Sequence, residues 1–235
     1  MSAFLAGIFV DFYGTLVGGD REAVEAICAE IVASHGLARS PADLAAEWGA
    51  RFFAQIEHAN GADYHTLLEC EGRSLRRTLE DHGIDADPRP YVRRLREYLR
   101  NPRLFPDVRD WLAGCRLPVC LVTNADRADL LAALDRLGLR FDRVVTSQDA
   151  RSYKPDPGIF RYALARTGWP ADRVVHVGDS LHSDVGGAAR CGLRTVWLER
   201  PGRIGDVGRC ESDCRIEDLG QLGSVIGAMN REPPG

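Results

Sequence analysis

The sequence is nearly empty of lysine. Of its 30 basic residues, 29 are arginine and one, Lys154, is lysine. Codon bias accounts for the arginines on a solvated surface, where the two cations are interchangeable. They are not interchangeable where a compact ammonium must fit a crowded site, so Lys154 is a candidate functional residue. Long apolar runs are also missing. The longest, Phe4–Val10 and Leu117–Val122, fall far short of the ~20 residues of a membrane helix. No basic segment followed by an apolar one opens the chain, so the expectation is a cytoplasmic protein without a signal peptide. Basic and acidic residues are interspersed at a net charge of −4. No basic stripe marks a nucleic-acid partner. The seven cysteines are irregularly spaced, and the close pair Cys210 and Cys214 has no matching pair or histidine cluster. That pattern fits reduced thiols. Repeats and low-complexity segments are absent. With 45% apolar and 27% charged residues, the chain is neither disordered nor fibrous.

Phe4–Val10 has the composition of a buried strand and ends at Asp11. Residues 20–100 instead carry helical spacing: Val24, Ile27 and Ile31; Leu44, Trp48, Phe52 and Ile56; Leu68, Leu75 and Leu79; Val92, Leu95 and Leu99. Breaks near Gly36–Pro41, Asn60–Asp63 and Gly83–Pro90 divide this block into about four helices. After Asn101-Pro102, short apolar runs (Pro118–Val122, Val144–Thr146, Val174–Val177, Thr195–Leu198) alternate with helical segments Asp126–Leu137 and Pro157–Arg166. Asp156-Pro157 supplies an N-cap and first-turn proline, and Gly168 a C-terminal stop. Strands alternating with helices predict an α/β fold, a Rossmann-like doubly wound parallel sheet. The four-helix block is an insertion after its first strand. The expected boundaries are a core of residues 1–16 and 102–229, a helical insert of 17–101 hinged at Gly18-Gly19 and Asn101-Pro102, and a flexible tail of 230–235.

In such sheets function sits at the carboxyl ends of the strands. Polar residues collect there: Asp11-Phe-Tyr-Gly-Thr-Leu16, Thr123-Asn124, Ser152-Tyr-Lys-Pro-Asp156, and Gly178-Asp-Ser180 with Asp184 beyond. A lone Asp after a strand is usually a helix cap. Four strand ends of complementary chemistry are a stronger signal.

The order Asp11-x-x-Gly14-Thr15-Leu16, Thr123-Asn124, Lys154-Pro155, Gly178-Asp179-x-x-x-x-Asp184 resembles the haloacid dehalogenase superfamily of hydrolases, with the insert where that family carries a helical cap. The resemblance implies Asp11 as nucleophile through an aspartyl intermediate. It implies Mg²⁺ on Asp11, the Tyr13 carbonyl and Asp179, with Asp184 acting through water. It implies Lys154 and Thr123 on the transferring phosphoryl group, Asn124 and Thr15 beside the substrate, and Gly14 for close backbone approach. A cap closing over the site favours a small phosphorylated substrate.

Tyr13 departs from the phosphatase pattern. Phosphatases of this superfamily usually place an acid/base Asp there, and Tyr, with a reference pKa near 10, is a poor base at neutral pH. Asp-x-Tyr-Gly-Thr resembles the 2-haloacid dehalogenases, whose halide leaves without a proton and without metal. The Asp179/Asp184 motif resembles the Mg²⁺ phosphohydrolases instead. The leading expectation is a Mg²⁺-dependent phosphohydrolase with Tyr13 at the acid/base position. The alternatives are a metal-free dehalogenase and a slow or non-catalytic phospho-ligand binder. The insert has no lysine for Schiff-base phosphonate hydrolysis, a phosphomutase would need the acid/base Asp, and a P-type pump would need membrane helices. Arg51, Arg73, Arg76 and Arg77 of the insert are expected on solvated faces. His176 is expected to pack in the core. His182, in the loop after Asp179, is within reach of the site but is expected to be solvated. Trp48 and Phe52–Phe53 are expected to form the insert's core, with the alternative that one of them faces the cleft, and Tyr153 is a candidate to line the site. Substrate identity and oligomeric state are not legible.

Overall fold

The computed structural model describes residues 5–200 and 210–231. Phe4 and residues 232–235 of the expected tail lie outside the described residues. Asn230 itself is held in place: its side-chain oxygen accepts the Leu5 N–H at 2.8 Å.

In chain order the elements are β1 (Gly7–Val10), β2 (Val17–Gly18), α1 (Asp20–His35), α2 (Pro41–His58), α3 (Leu67–Asp81), α4 (Arg89–Arg100), β3 (Arg103–Leu104), α5 (Val108–Gly114), β4 (Val119–Thr123), α6 (Arg127–Leu137), β5 (Arg143–Thr146), α7 (Ser147–Ala150), α8 (Pro157–Thr167), β6 (Val174–Gly178), α9 (Gly187–Ala189), β7 (Arg194–Leu198), β8 (Cys214–Ile216) and α10 (Leu222–Met229). Six of the strands form one parallel sheet in the order β5-β4-β1-β6-β7-β8. This is the α/β Rossmann-like fold expected from the alternation of strands and helices.

The chain divides into two compact units. The first comprises residues 1–18, 103–124 and 140–235, and the second 19–102 and 125–139. In the first unit β1 is central and buried along its whole length. A strand covered on both faces must be apolar at every position, not at alternate ones, and Gly-Ile-Phe-Val satisfies that. Gly7 leaves out a side chain where the Trp169 ring lies, and that ring stacks on Phe9 at 5.7 Å. Phe9, Val122, Val145, Ile159, Phe160 and Val174 pack into one apolar core. Helix α8 starts as expected: Pro157 occupies its first turn and the Asp156 carboxylate accepts the Gly158 N–H at 2.7 Å. It stops at Gly168, whose φ of 72° favours glycine.

The second unit is helical, with Ile27, Ile31, Leu44, Trp48, Leu75, Leu79 and Leu95 buried together. Two expectations are corrected here. Phe53 is 50% exposed, outside the core it was assigned to. The buried stripe of α3 starts at Leu67 and Cys70, leaving Leu68 half-buried. Helix α6, expected among the sheet-covering helices, groups with the inserted helices. The two carboxylate oxygens of its Asp129 share the single N–H of Arg96 Nε, at 2.9 and 3.1 Å. The Thr66/Glu69 capping box opens α3, and the Leu67 and Leu68 N–H groups donate to Asp126 at 2.9 and 3.2 Å. No helix among the described residues is long and apolar enough to cross a membrane, and the seven cysteines are free of disulfides.

Candidate active site

The connections from β1 and β6 leave the sheet in opposite directions, since β4 lies on one side of the pair and β7 on the other. A crevice therefore opens at their carboxyl ends, the place where open α/β sheets bind ligands. Asp11 follows β1 directly, and its N–H donates to the Val177 carbonyl at 3.0 Å. Asp179 follows β6. Thr123 ends β4, whose Leu121 is level with Val10. Three strand ends thus present their polar residues to one place.

Lys154 arrives from the segment before α8. Its ammonium is buried and bridges two carboxylates, 2.6 Å from Asp11 Oδ1 and 2.5 Å from Asp184 Oδ1. Burial alone would depress its pKa, but the Asp11 and Asp184 carboxylates reverse the effect and hold it above the ordinary lysine value. Asn124 fixes the backbone at this point. Its Nδ2 donates to the Lys154 carbonyl at 3.0 Å, and its Oδ1 accepts the Lys154 N–H at 2.8 Å.

Asp184 lies on a π-helical turn, Leu181–Gly186. Its Oδ1 meets Lys154 Nζ and also His176 Nε2, at 2.8 Å. Its Oδ2 accepts the Ser180 N–H at 3.0 Å. Burial raises the carboxyl pKa, but Lys154 and His176 outweigh it and keep Asp184 well below the usual carboxylate range. Gly178 makes room for this carboxylate, which a Cβ there would overlap. Burial holds His176 below its ordinary pKa, despite its bond to Asp184.

Thr15 joins the other two carboxylates. Its Oγ1 lies 2.8 Å from Asp179 Oδ1 and 3.1 Å from Asp11 Oδ2, and it accepts the Asp179 N–H at 3.1 Å. The single hydroxyl proton serves one carboxylate at a time. Gly14, at φ 86°, packs so closely that a Cβ would stand 2.5 Å from Asp179 Oδ2. Both the dihedral and the contact demand glycine.

Asp11, Asp179 and Asp184 offer carboxylate oxygens within 4.8 Å of one another, all buried. Among the described residues one ammonium, Lys154, bonds two of these carboxylates, Asp11 and Asp184. Buried charge is costly unless paired, so the cluster suits a divalent cation. The donors are all oxygen, the preference of Mg²⁺. Thr123 Oγ1 is buried without a hydrogen-bond partner among the described residues, the condition expected of a group that meets a ligand.

The other candidate residues fall as follows. Tyr13 is half-buried, its ring edge-on to Phe12 at 4.9 Å. Tyr153 is fully buried. His182 is half-buried on the turn after Asp179. His176 was expected only to pack; it does pack edge-on to Phe160 at 5.0 Å, but it also bonds Asp184. Its place in a strand, eight residues before Asp184, carried no signal of that contact. In the second unit Arg51 pairs with Glu47 and Asp81, and Arg77 lies 3.5 Å from both Glu80 and Asp81. Arg73 and Arg76 line a cavity of about 480 Å³ with Arg89, Arg93 and Arg96.

The family model of haloacid dehalogenase-like hydrolases matches residues 5–192. A ribulose-1,5-bisphosphate 5-phosphatase of Halopiger xanaduensis is 32% identical over 142 residues, covering 55% of this chain and 59% of that protein. An (S)-2-haloacid dehalogenase of Pseudomonas fluorescens is 24% identical over 211 residues, covering 83% and 85%. The matched stretch spans roughly half the length of the more identical curated relatives. Among solved structures, the magnesium-bound HAD-hydrolase YfnB of Bacillus subtilis shares the fold, with a TM-score of 0.76 at 20% identity over 95% of this chain and 99% of that one. With four-fifths of its length inside the family match and phosphatases and dehalogenases alike among its relatives, this chain belongs to the haloacid dehalogenase-like hydrolases.

Proposed function

We propose that the protein is a Mg²⁺-dependent phosphohydrolase of small phosphorylated metabolites, acting through an aspartyl-phosphate on Asp11. The observation that carries this reading is the convergence of three buried carboxylates, Asp11, Asp179 and Asp184, whose oxygens lie within 4.8 Å of one another. A metal-free site would have to bring an anionic substrate directly against these carboxylates.

In this reading Asp11, Asp179 and the Tyr13 carbonyl would hold the ion, and Asp184 would act on it through water. When bound, Mg²⁺ supplies positive charge to the phosphoryl oxygens. Asp11 attacks phosphorus through a carboxylate oxygen, and the bond from phosphorus to the leaving oxygen breaks. The leaving oxygen takes a proton from the Tyr13 hydroxyl, from another acid, or from the substrate itself. Water then attacks phosphorus, freeing phosphate and the Asp11 carboxylate. Lys154 and the Thr123 hydroxyl steady the charge on the transferring group. Asp184, with both oxygens already engaged, chiefly holds Lys154 in position. Asn124 serves the same end through the Lys154 main chain.

A second reading is favoured by one residue. Tyr13 in Asp-x-Tyr-Gly-Thr suits halide departure, which requires no proton, and would make the protein a metal-independent 2-haloacid dehalogenase.

A paired assay separates the readings. One arm supplies p-nitrophenyl phosphate and a panel of small phosphate esters with Mg²⁺ or EDTA. The other supplies 2-chloropropionate and measures chloride. The expected result is phosphate release that requires Mg²⁺ and is lost in Asp11→Asn. Chloride release indifferent to EDTA would replace this reading with the second. A stable phospho-ligand complex without turnover would replace both with a binding role.

A further inference from the structure

Arg200 follows β7 and is buried, an uncommon state for a guanidinium. Every face of it is engaged. Its Nε and Nη2 both donate to the main-chain carbonyl of Thr15, at 3.0 and 2.8 Å. Its Nη1 and Nη2 donate to Asp107 Oδ2 and Oδ1, at 2.8 and 3.0 Å. Its Cζ stands 4.2 Å from the centre of the Phe105 ring, a cation–π distance. Asp107 is fixed in turn, its Oδ2 accepting the Leu219 N–H at 2.9 Å.

Thr15 is the residue whose hydroxyl touches both Asp11 and Asp179. Its main-chain carbonyl and its side-chain hydroxyl are thus both held. The rest of the turn is pinned as well: the Leu16 and Val17 N–H groups donate to the Phe12 carbonyl at 2.9 and 3.1 Å, and the Phe105 N–H to the Leu16 carbonyl at 3.0 Å. An apolar side chain would fill the Arg200 position at lower desolvation cost. It would not hold one carbonyl in a planar two-donor fork.

We propose that Arg200, with Asp107 as its counter-ion, is a positioning residue. It clamps the Thr15 carbonyl so that the Thr15 hydroxyl keeps Asp11 and Asp179 in register. The inference rests on the reading of Asp11 as nucleophile and Asp179 as its metal-binding partner. The clamp itself rests on geometry alone.

The test uses Arg200→Lys, Arg200→Met and Asp107→Asn in the full chain, with two readouts. The first is amide hydrogen exchange, which requires no substrate. Residues 12–18 should exchange at least ~10-fold faster in the variants, with β1 and β6 unchanged. The second is steady-state kinetics on whichever of the two hydrolytic activities the wild type shows. A displaced nucleophile costs turnover, so kcat should fall about 10–100-fold with KM within about threefold. Arg200→Lys keeps the charge and loses the fork, and should fall with Arg200→Met. Unchanged exchange at 12–18 overturns the clamp, as does exchange raised equally throughout the sheet. Local loosening with kcat intact overturns the positioning role. If the wild type is silent on both substrates, the functional reading fails while exchange still decides the clamp. Should Arg200→Met fail to fold, Arg200→Lys and Asp107→Asn carry the test.

Discussion

Lys154 Nζ lies 2.5 Å from Asp184 Oδ1, and the same ammonium reaches Asp11 Oδ1 at 2.6 Å. One small cation therefore sets the distance between two carboxylates from opposite ends of the chain. In a protein whose other basic residues are all arginine, the position cannot take a guanidinium. The planar fork is wider than the gap and its donors diverge. Lys154→Arg is therefore expected to behave like Lys154→Met, each losing at least about 100-fold in kcat/KM in whichever hydrolytic assay the wild type answers. Activity in Lys154→Arg within tenfold of wild type would refute the argument.

The carboxylate cluster predicts a binding signature independent of turnover. Mg²⁺ bound to the folded state alone should raise the midpoint of thermal unfolding as concentration rises. Asp179→Asn removes one negative charge from the cluster and should abolish most of that rise. A Mg²⁺ response equal in wild type and variant would place the ion elsewhere.

Tyr13 stands where an acid/base Asp serves related phosphatases. General acid catalysis contributes about 10²–10⁴-fold. Tyr13→Asp is therefore expected to raise kcat on poor leaving groups by roughly 10²-fold while leaving p-nitrophenyl phosphate, a good leaving group, much less affected. Turnover of alkyl phosphates in Tyr13→Asp that stays at the wild-type level would show that the proton comes from another group.

Two glycines are predicted to be irreplaceable for steric reasons. Gly178→Ala drives a methyl into Asp184, and Gly14→Ala one into Asp179 from a backbone at φ 86°. Overpacking costs about 1–3 kcal/mol and the left-handed backbone about 1–2 more. Urea unfolding should show both losses, and activity should fall further than stability, because the displaced atoms are the site's carboxylates.

In the helical unit, Glu71 is half-buried on α3. Burial pushes its carboxyl up to about 8, against a hydrogen bond from Trp48. A carboxyl whose folded pKa exceeds its unfolded value favours the folded state only while protonated. Stability should therefore decline as pH rises from about 4.5 to about 8 and level off above, at most by about 1.4 kcal/mol per pH unit. Glu71→Gln should flatten that slope in urea titrations across this range. An unchanged slope would show that Glu71 ionises normally.

The sequence by itself marked five of the six strands of the sheet, all but β8, and the residues delivered to their ends. Gly7–Val10 is apolar throughout, and Val174–Gly178 is apolar but for His176, because parallel strands are covered on both faces. Asp11 and Asp179 follow them directly, so local pattern sufficed to place these carboxylates at strand ends. Asp156-Pro157 and Gly168 likewise bound α8 through backbone preferences that neighbours do not alter. Tertiary structure alone decided the rest. Arg200 meets Thr15 across 185 positions, and nothing local distinguishes it from 28 other arginines. His176 looks like any strand residue until the π-helical turn returns Asp184 to it. Helix α6 has the apolar spacing of a sheet-covering helix, yet groups with the inserted helices through Asp129 and Arg96. Phe53 has the composition of core and lies half in solvent. Strand identity follows from short-range sterics and from short continuous apolar runs. The partner of a buried charge follows from chain closure over long distances, which no local window records.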